Sequence, residues 1–135
     1  MNNPSRVEIK EILDTAKTIA VVGLSPNVNR TSYMVSEAMQ KAGYRIIPVN
    51  PAADEVLGEK SYASLLDLPE PVDIVNVFRR SEFLPELAED FKKADCAVFW
   101  TQLNVVDEEV FNDLTDKGYT VIMDRCIKVE HAILK

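Results

Sequence analysis

The sequence predicts an α/β fold built on a parallel sheet of five strands, and two observations lead to that class. Five short apolar segments alternate with amphipathic helical patterns along the chain. The first segment, 18–22, is apolar on both faces, as a central parallel strand is. Right-handed crossovers would place helices on both faces of such a sheet. We therefore expect a doubly wound, Rossmann-like sheet in the strand order 3-2-1-4-5, with a ligand at the carboxyl ends of the first and fourth strands.

Two predicted helices flank the first strand. The helix over 5–16 begins at Ser5, which forms a capping-box pattern with Glu8 three residues later. The helix over 32–41 ends before Gly43, since glycine suits the left-handed conformation that follows many helices.

The middle of the chain supplies the second and third strands. The second strand, 44–49, ends at Asn50-Pro51, and the third strand covers 72–78. A short helix is predicted between them, over 61–67.

The last third of the chain continues the alternation. Its elements are a helix over 81–94, a strand over 96–100, a helix over 107–117, a strand over 119–123, and one or two helical turns within 125–135. Pro85 indicates that the first turn of the helix over 81–94 is irregular.

Composition indicates one acidic globular domain spanning 1–135. The net charge is −7, which argues against binding to nucleic acid or to an anionic membrane surface. No apolar segment approaches the roughly 18 residues that span a bilayer, and the N-terminus has no signal-peptide core. We therefore expect a cytoplasmic protein whose exposed helix faces permit a homodimer.

The chain has two cysteines, Cys96 and Cys126, and one histidine, His131. Both thiols are expected to be free in a reducing compartment, and this set is too small for a structural zinc site. Cys126 lies near Arg125 and Lys128, which favours a reactive thiolate; the alternative is a buried cysteine that packs beneath the last helix. His131 has no evident acid or nucleophile as a partner and is expected to be a surface or packing residue.

Gly23 opens a polar loop after the first strand, where α/β proteins bind phosphate groups. The dinucleotide-binding fingerprint needs three glycines, and this loop has one. Dinucleotide enzymes also place an Asp or Glu at the end of the second strand to bind the ribose, whereas the first acid here, Asp54, comes several residues late. A phosphate-bearing nucleotide other than NAD is the expected ligand. Ser25, Arg30, Thr31 and Ser32 supply donors; the alternative is an ordinary turn in which Thr31 and Ser32 only cap the helix.

Two further strand ends carry candidate contacts. Arg79 and Arg80 precede a helix N-terminus, where the helix dipole disfavours cations, so a ligand phosphate or a nearby carboxylate must compensate them. Trp100 and Gln102 follow the fourth strand and suit the wall of a mostly apolar cleft, although a tryptophan there also suits core packing.

Two asparagines stand near strand ends. Asn50 and Pro51 either form the edge of a nucleotide pocket or only terminate their strand. Asn104 is expected in the left-handed backbone region, which asparagine tolerates.

Six segments together resemble the small stand-alone CoA-binding domain proteins of bacteria. They are G-L-S-P at 23–26, R-T-S-Y at 30–33, V-N-P at 49–51, V-D-I-V-N-V-F-R-R-S at 72–81, W-T-Q-L at 100–103 and M-D-R-C-I-K-V-E-H at 123–131. That family is similar in turn to the CoA-binding domain of the succinyl-CoA synthetase alpha subunit. The resemblance implies a Rossmann-like sheet with coenzyme A lying across the carboxyl ends of its strands.

The resemblance and the residue-level candidates together predict the ligand contacts. These are Gly23, Leu24, Ser25, Arg30, Ser32, Asn50, Pro51, Phe78, Arg79, Arg80, Trp100, Gln102 and Arg125. The resemblance places Trp100 and Gln102 on the pantetheine side. The family commonly has glycine where this chain has Asn104, which puts close backbone approach there in doubt. The phosphorylated histidine of the synthetase belongs to a separate domain, so His131 does not inherit its role.

Three functions follow as expectations. The first is non-catalytic binding of coenzyme A or acyl-CoA, with no partner protein identified. The second is an enzyme component, either one half of a CoA ligase that needs a partner chain or a nucleotide-dependent oxidoreductase. The third is a mixed disulfide between Cys126 and coenzyme A.

Overall fold

The computed structural model describes residues 1–134, which form a five-stranded parallel sheet and a separate two-stranded hairpin. In chain order the elements are α1 (Arg6–Thr15), β1 (Thr18–Val22), α2 (Thr31–Lys41), β2 (Arg45–Val49), β3 (Glu55–Val56), β4 (Glu59–Lys60), β5 (Val72–Val77), α3 (Leu84–Lys93), β6 (Cys96–Thr101), α4 (Glu108–Asp116), β7 (Thr120–Ile122) and α5 (Ile127–Leu134). The predicted fold class and its five-stranded parallel sheet are confirmed, although β7 is shorter than predicted.

The strand order of the sheet is β2-β1-β5-β6-β7, so the predicted order 3-2-1-4-5 is wrong. That order needed β2 inside the sheet, but Pro48 has no N–H to donate and therefore belongs on an edge strand. The carbonyl of Pro48 accepts from the N–H of Tyr62 at 3.0 Å, on the side away from β1. The third main strand, β5, pairs with the other side of β1. The order therefore reverses between β1 and β5, and not at the fourth strand.

The segment between β2 and β5 differs from the predicted helix over 61–67. Only a single 3₁₀ turn forms there, at Leu65–Asp67, and the hydroxyl of Ser64 accepts from the N–H of Leu66. Tyr62 pairs instead with Val49 as an isolated parallel bridge at the edge of β2. The hairpin of β3 and β4 precedes it and was not predicted, because its strands are only two residues long.

Capping signals fixed several helix boundaries. The hydroxyl of Ser5 accepts from the N–H of Glu8 at 3.2 Å, and the carboxylate of Asp107 accepts from the N–H of Val110 at 3.0 Å. The helix predicted over 81–94 begins with a 3₁₀ turn at Ser81–Phe83, which confirms the irregular first turn that Pro85 indicated.

Two apolar layers enclose the sheet. One face packs against α1, α2 and α5 and contains the fully buried Trp100 and Ile74. The other face packs against α3 and α4 around Phe91 and Phe99, whose rings meet edge to face at 5.1 Å. Among residues 1–134, no helix combines the length and the apolar character that crossing a lipid bilayer requires.

Candidate functional site

A cavity of about 600 Å³ lies at the carboxyl edge of the sheet. Its walls come from the loops after β1, β5 and β6, from the start of α2 and from the residue before α5. Seven predicted contact residues line it: Gly23, Arg30, Ser32, Phe78, Arg79, Arg80 and Gln102. The cavity spans the β1–β5 reversal, where ligands of doubly wound sheets bind.

Gly23 brings the loops after β1 and β5 into direct contact. Its φ of +83° lies in the left-handed region, and a Cβ there would lie 3.2 Å from the carbonyl carbon of Phe78 and closer still to its oxygen. Val22 and Val49 accept from the N–H groups of Phe78 and Gly23, each at 2.9 Å. Only glycine fits this position, and its lack of a side chain leaves the cavity floor open.

The N-terminus of α2 points unsatisfied donors at the cavity. The hydroxyl of Ser32 accepts from the N–H of Ser25 at 3.0 Å, which folds the loop back onto the helix. Within residues 1–134, the N–H groups of Thr31, Ser32 and Tyr33 find no acceptor. Three free N–H groups at the positive end of a helix form a site for an anion.

Arginines surround these free donors. Arg30, Arg79 and Arg80 are all exposed. In the described part of the chain, no carboxylate lies within 4.0 Å of the Arg30 or Arg79 guanidinium, and Arg80 lies 3.8 Å from Glu82. The Arg79 guanidinium stacks 4.4 Å from the ring centre of Phe83. Two guanidinium groups therefore remain available to an anionic ligand.

The loop after β6 is held in place by buried polar contacts. The side-chain amide of Gln102, which is 7% exposed, donates to Oδ1 of Asn76 at 2.9 Å. The hydroxyl of Thr101 donates to the carbonyl of Val105 at 2.6 Å. Asn104 has a φ of +67°, which confirms its predicted left-handed conformation. This wall of the cavity is therefore held in one geometry before any ligand arrives.

Asn50 and Pro51 lie in a second groove of about 380 Å³ that shares Gly23 and Arg79 with the main cavity. The side-chain amide of Asn50 donates to the carbonyl of Leu24 at 2.9 Å, and its Oδ1 accepts from the N–H of Ala52 at 2.9 Å. The two spaces adjoin at these shared residues, and their linings together extend from β2 to the loop after β7.

Four predicted residues line neither the main cavity nor the second groove. Leu24 is fully buried, and Ser25 supports the loop through its backbone. Trp100 is also fully buried, and its indole N–H donates to the carbonyl of Arg125 at 2.9 Å. The Arg125 guanidinium donates to the carbonyl of Asp124 at 3.0 Å. Trp100 thus supports the loop that carries Arg125, beneath the surface.

Six cavity residues are absent from the predicted ligand contacts: Thr31, Ser81, Leu103, Asn104, Val105 and Cys126. The sequence nevertheless indicates Thr31 as a loop donor, and it singles out Asn104 for its backbone conformation and Cys126 for its thiol. Ser81 directly follows a predicted arginine, and that adjacency at a strand-end loop could have identified it. No sequence signal distinguishes Leu103 and Val105 from ordinary loop residues.

The two cysteines lie in different environments. Cys96 begins β6, at the opposite end of the sheet, and burial together with the Asp95 carboxylate raises the pKa of its thiol to about 12. Cys126 is half-buried and lines the cavity. His131 packs edge to face against Tyr44 with ring centres 5.7 Å apart, as expected for a packing residue. Among the described residues, no group of three or more His, Cys, Asp or Glu could hold a metal ion.

A comparison with known families and proteins shows which of them this chain is similar to. A family model described as "CoA binding domain" matches residues 17–132. The "uncharacterized protein YneT" of Bacillus subtilis is 61% identical over 135 residues, which is all of both chains. The acetate–CoA ligase [ADP-forming] II of Archaeoglobus fulgidus is 31% identical over 104 residues, which cover 76% of this chain and 15% of the ligase.

Solved structures share the whole fold. The structure of cell-free ID.343 from Thermus thermophilus superposes with a TM-score of 0.94 and 36% sequence identity, over 98% of this chain and all of that chain. The chain therefore matches stand-alone proteins along their whole length, and the ligase along a small part of its length.

Proposed function

The chain belongs to the family of CoA binding domains, and on that premise we propose that it binds coenzyme A or an acyl-CoA without transforming it. The observation that carries the proposal is the meeting of Arg30, Arg79 and three free N–H groups of α2 at one cavity. Coenzyme A carries a diphosphate and a 3′-phosphate, which such charge-assisted donors bind.

The local charge is opposite to the overall charge of the protein. The net charge is −7, yet the charged side chains that line the cavity are Arg30, Arg79 and Arg80. A low-dielectric cleft lined by one sign of charge concentrates ligands of the other sign. This distribution supports an anionic small molecule as the ligand.

The shape of the site fits an extended ligand. The groove beside Asn50 and Pro51 lies next to β2, and it would hold the adenine nucleotide. The arginines and the start of α2 lie next to β1 and β5 and would hold the phosphates. The walls formed by Gln102 and Leu103 lie next to β6 and would hold the pantetheine arm. The ligand would then cross the sheet in strand order.

The kinds of side chain at the cavity support binding over catalysis. Within the described residues, its lining consists of arginines, hydroxyls, amides, apolar groups and one thiol, with no histidine or carboxylate. General acid–base catalysis most often uses a histidine or a carboxylate within hydrogen-bond reach of the substrate. The lining therefore favours a module that holds or presents its ligand.

Calorimetric titration of the purified protein tests the proposal. We expect coenzyme A to bind, dephospho-CoA to bind more weakly because it lacks the 3′-phosphate, and NAD not to bind. The affinity for coenzyme A should fall as salt is added, since exposed charges are screened. Absence of coenzyme A binding, or equal binding of NAD, would contradict the proposal.

A second candidate function is a CoA-binding component of an acyl-CoA ligase. The match to the ADP-forming acetate–CoA ligase of Archaeoglobus fulgidus favours it, although that match covers 15% of the ligase. Such a component would act with a partner chain. Incubation of the protein alone with acetyl-CoA, ADP and phosphate should then give no turnover, and a co-purifying partner should restore it.

A further inference from the structure

We propose that Cys126 forms a mixed disulfide with coenzyme A by exchange with CoA disulfide, and that Glu130 accepts the proton of its thiol. The inference rests on the proposed function and adds a covalent state to it. Cys126 lines the same cavity as Gly23, Arg30 and Arg79, so a disulfide bound there by its phosphates would have access to the thiol.

The position of Cys126 suits the free end of the ligand. The N–H of Arg125, the residue before it, donates to the carbonyl of Thr101 at the end of β6 at 3.2 Å, and β6 lies two strand spacings from β1, where the phosphate donors are. Neighbouring strands are about 4.8 Å apart, so this separation is about 10 Å. The pantetheine arm is equivalent to roughly four extended residues and reaches about 13 Å. With the phosphates at Arg30, the sulfur would therefore be within reach of Cys126.

Glu130 lies on the same side of α5 as Cys126, and one of its carboxylate oxygens is buried without a hydrogen-bond partner. Its side chain is 4% exposed, and its Oε1 has no hydrogen-bond partner within residues 1–134. Its backbone N–H donates to the carbonyl of Cys126 at 3.0 Å, which places the two residues one helical turn apart. Helical side chains lean toward the N-terminus of their helix, so Glu130 leans toward the turn that holds Cys126.

The unpaired oxygen of Glu130 calls for an explanation. Burying a polar group without a hydrogen bond is unfavourable, and an unsatisfied buried group is therefore a candidate for a functional role. A carboxylate oxygen one helical turn from Cys126 could take the proton that a cysteine must lose before it reacts.

The exchange balances without an external oxidant. The thiol proton of Cys126 passes to Glu130, and the thiolate attacks one sulfur of CoA disulfide. The S–S bond between Cys126 and coenzyme A forms as the original S–S bond breaks. The second coenzyme A leaves as a thiolate, and the proton held by Glu130 is returned to it through solvent. One disulfide is thus replaced by another.

Cys96 provides an internal control for this reaction. It is 8% exposed, lies at the opposite end of the sheet, and has a pKa of about 12, so its thiolate is scarce at neutral pH. A cysteine that reacts because of its cavity should be modified while Cys96 is not.

The test is intact-mass measurement of the protein after incubation with CoA disulfide, followed by peptide mapping. We expect one adduct, with the mass of coenzyme A less two hydrogens, on Cys126 in the wild type and in Cys96→Ser, and none in Cys126→Ser. The adduct should form at least about tenfold faster with CoA disulfide than with glutathione disulfide, because binding holds the reacting sulfurs together. Glu130→Gln should slow adduct formation.

Parallel calorimetry with reduced coenzyme A separates the two proposals. If reduced coenzyme A binds and no adduct appears on Cys126, the covalent inference is wrong and the proposed function stands. Equal rates with the two disulfides would also overturn the inference, because the thiol would then react through exposure alone. An unchanged rate in Glu130→Gln would remove the role assigned to that carboxylate. If reduced coenzyme A does not bind, both proposals fail.

Discussion

The carboxylate of Asp124 accepts a hydrogen bond from the backbone N–H of Asn104 at 2.7 Å, and both residues have left-handed backbone conformations. Their φ angles are +61° and +67°. The contact ties the loop after β6 to the loop after β7 at the rim of the cavity. Two conformations that are unfavourable for most residues are therefore held in place by one short hydrogen bond between them.

Replacement of Asn104 tests whether its left-handed backbone conformation is costly for other residues. Asn104→Ala should lower the free energy of unfolding by about 1 kcal/mol, because alanine tolerates the left-handed region less well than asparagine does. Asn104→Gly should stay close to the wild type, since glycine adopts that region freely. Urea denaturation measures both values. Equal stability of the alanine and glycine variants would contradict the expectation.

Gly23→Ala should be more destabilising than Gly118→Ala. Both glycines have positive φ, +83° and +91°, so both variants carry the left-handed penalty of about 1–2 kcal/mol. Only at Gly23 would the new Cβ also meet backbone atoms of Phe78, whereas nothing lies within 4 Å at Gly118. Thermal and urea denaturation should therefore show a larger loss for Gly23→Ala, and similar losses would argue against the tight β1–β5 contact.

Arg30→Ala should weaken the binding of coenzyme A. A hydrogen bond to a charged group contributes about 1.5–3 kcal/mol, which corresponds to roughly a 10- to 100-fold rise in Kd. Arg45→Ala is the matched control, because it removes the same charge at the start of β2, where Arg45 pairs with Glu70 at 3.0 Å. Calorimetry that gave both variants the same affinity would remove Arg30 from the proposed phosphate site.

Asp73→Asn should destabilise the protein at neutral pH and much less in acid. Burial alone would raise the pKa of Asp73, but the N–H groups of Lys17 and Thr18 donate to its carboxylate at 2.7 and 3.1 Å and lower the pKa overall. A lowered folded-state pKa gives stability that is present above the ordinary carboxyl pKa of 3.8 and is lost as the pH falls through the folded value.

The measurement for Asp73 is urea denaturation of the wild type and of Asp73→Asn at several pH values. The difference in unfolding free energy should be about 1–3 kcal/mol at pH 7 and should shrink below about pH 4. Asp67→Asn serves as the control, because Asp67 is exposed and its carboxylate makes no hydrogen bond within residues 1–134. A constant difference at all pH values would contradict the assigned carboxylate contacts.

The sequence predicted most of the layered fold because its signals are local. The hydroxyl of Ser5 and the carboxylate of Asp107 mark helix starts through hydrogen bonds within three residues. Strand order depends instead on pairing between distant segments. One local signal was nevertheless present, since Pro48 is incompatible with a central strand. Tyr62 carried no such signal, because its bridge to Val49 depends on the position of β2.

The sequence predicted those residues of the candidate site that directly follow the ends of strands. Arg30, Arg79 and Gln102 lie at the cavity because parallel strands end at a common edge. Which of the strand-end residues are buried in the core could not be derived in the same way. Trp100 belongs to the same loop pattern as Gln102, yet its ring faces the apolar layer between the sheet and α5. Whether a side chain at a strand end points into the cavity or into an apolar layer depends on packing between elements that are distant in the sequence.

Pro48 also bears on how molecules of this protein meet one another. An open sheet edge can recruit a strand from a second chain, and uncontrolled recruitment leads to aggregates. On the outer margin of β2 the missing N–H of Pro48 and the bridge to Tyr62 interrupt the row of groups that such a strand would need. The opposite margin, β7, is only three residues long. Self-association through continuous sheets is therefore disfavoured.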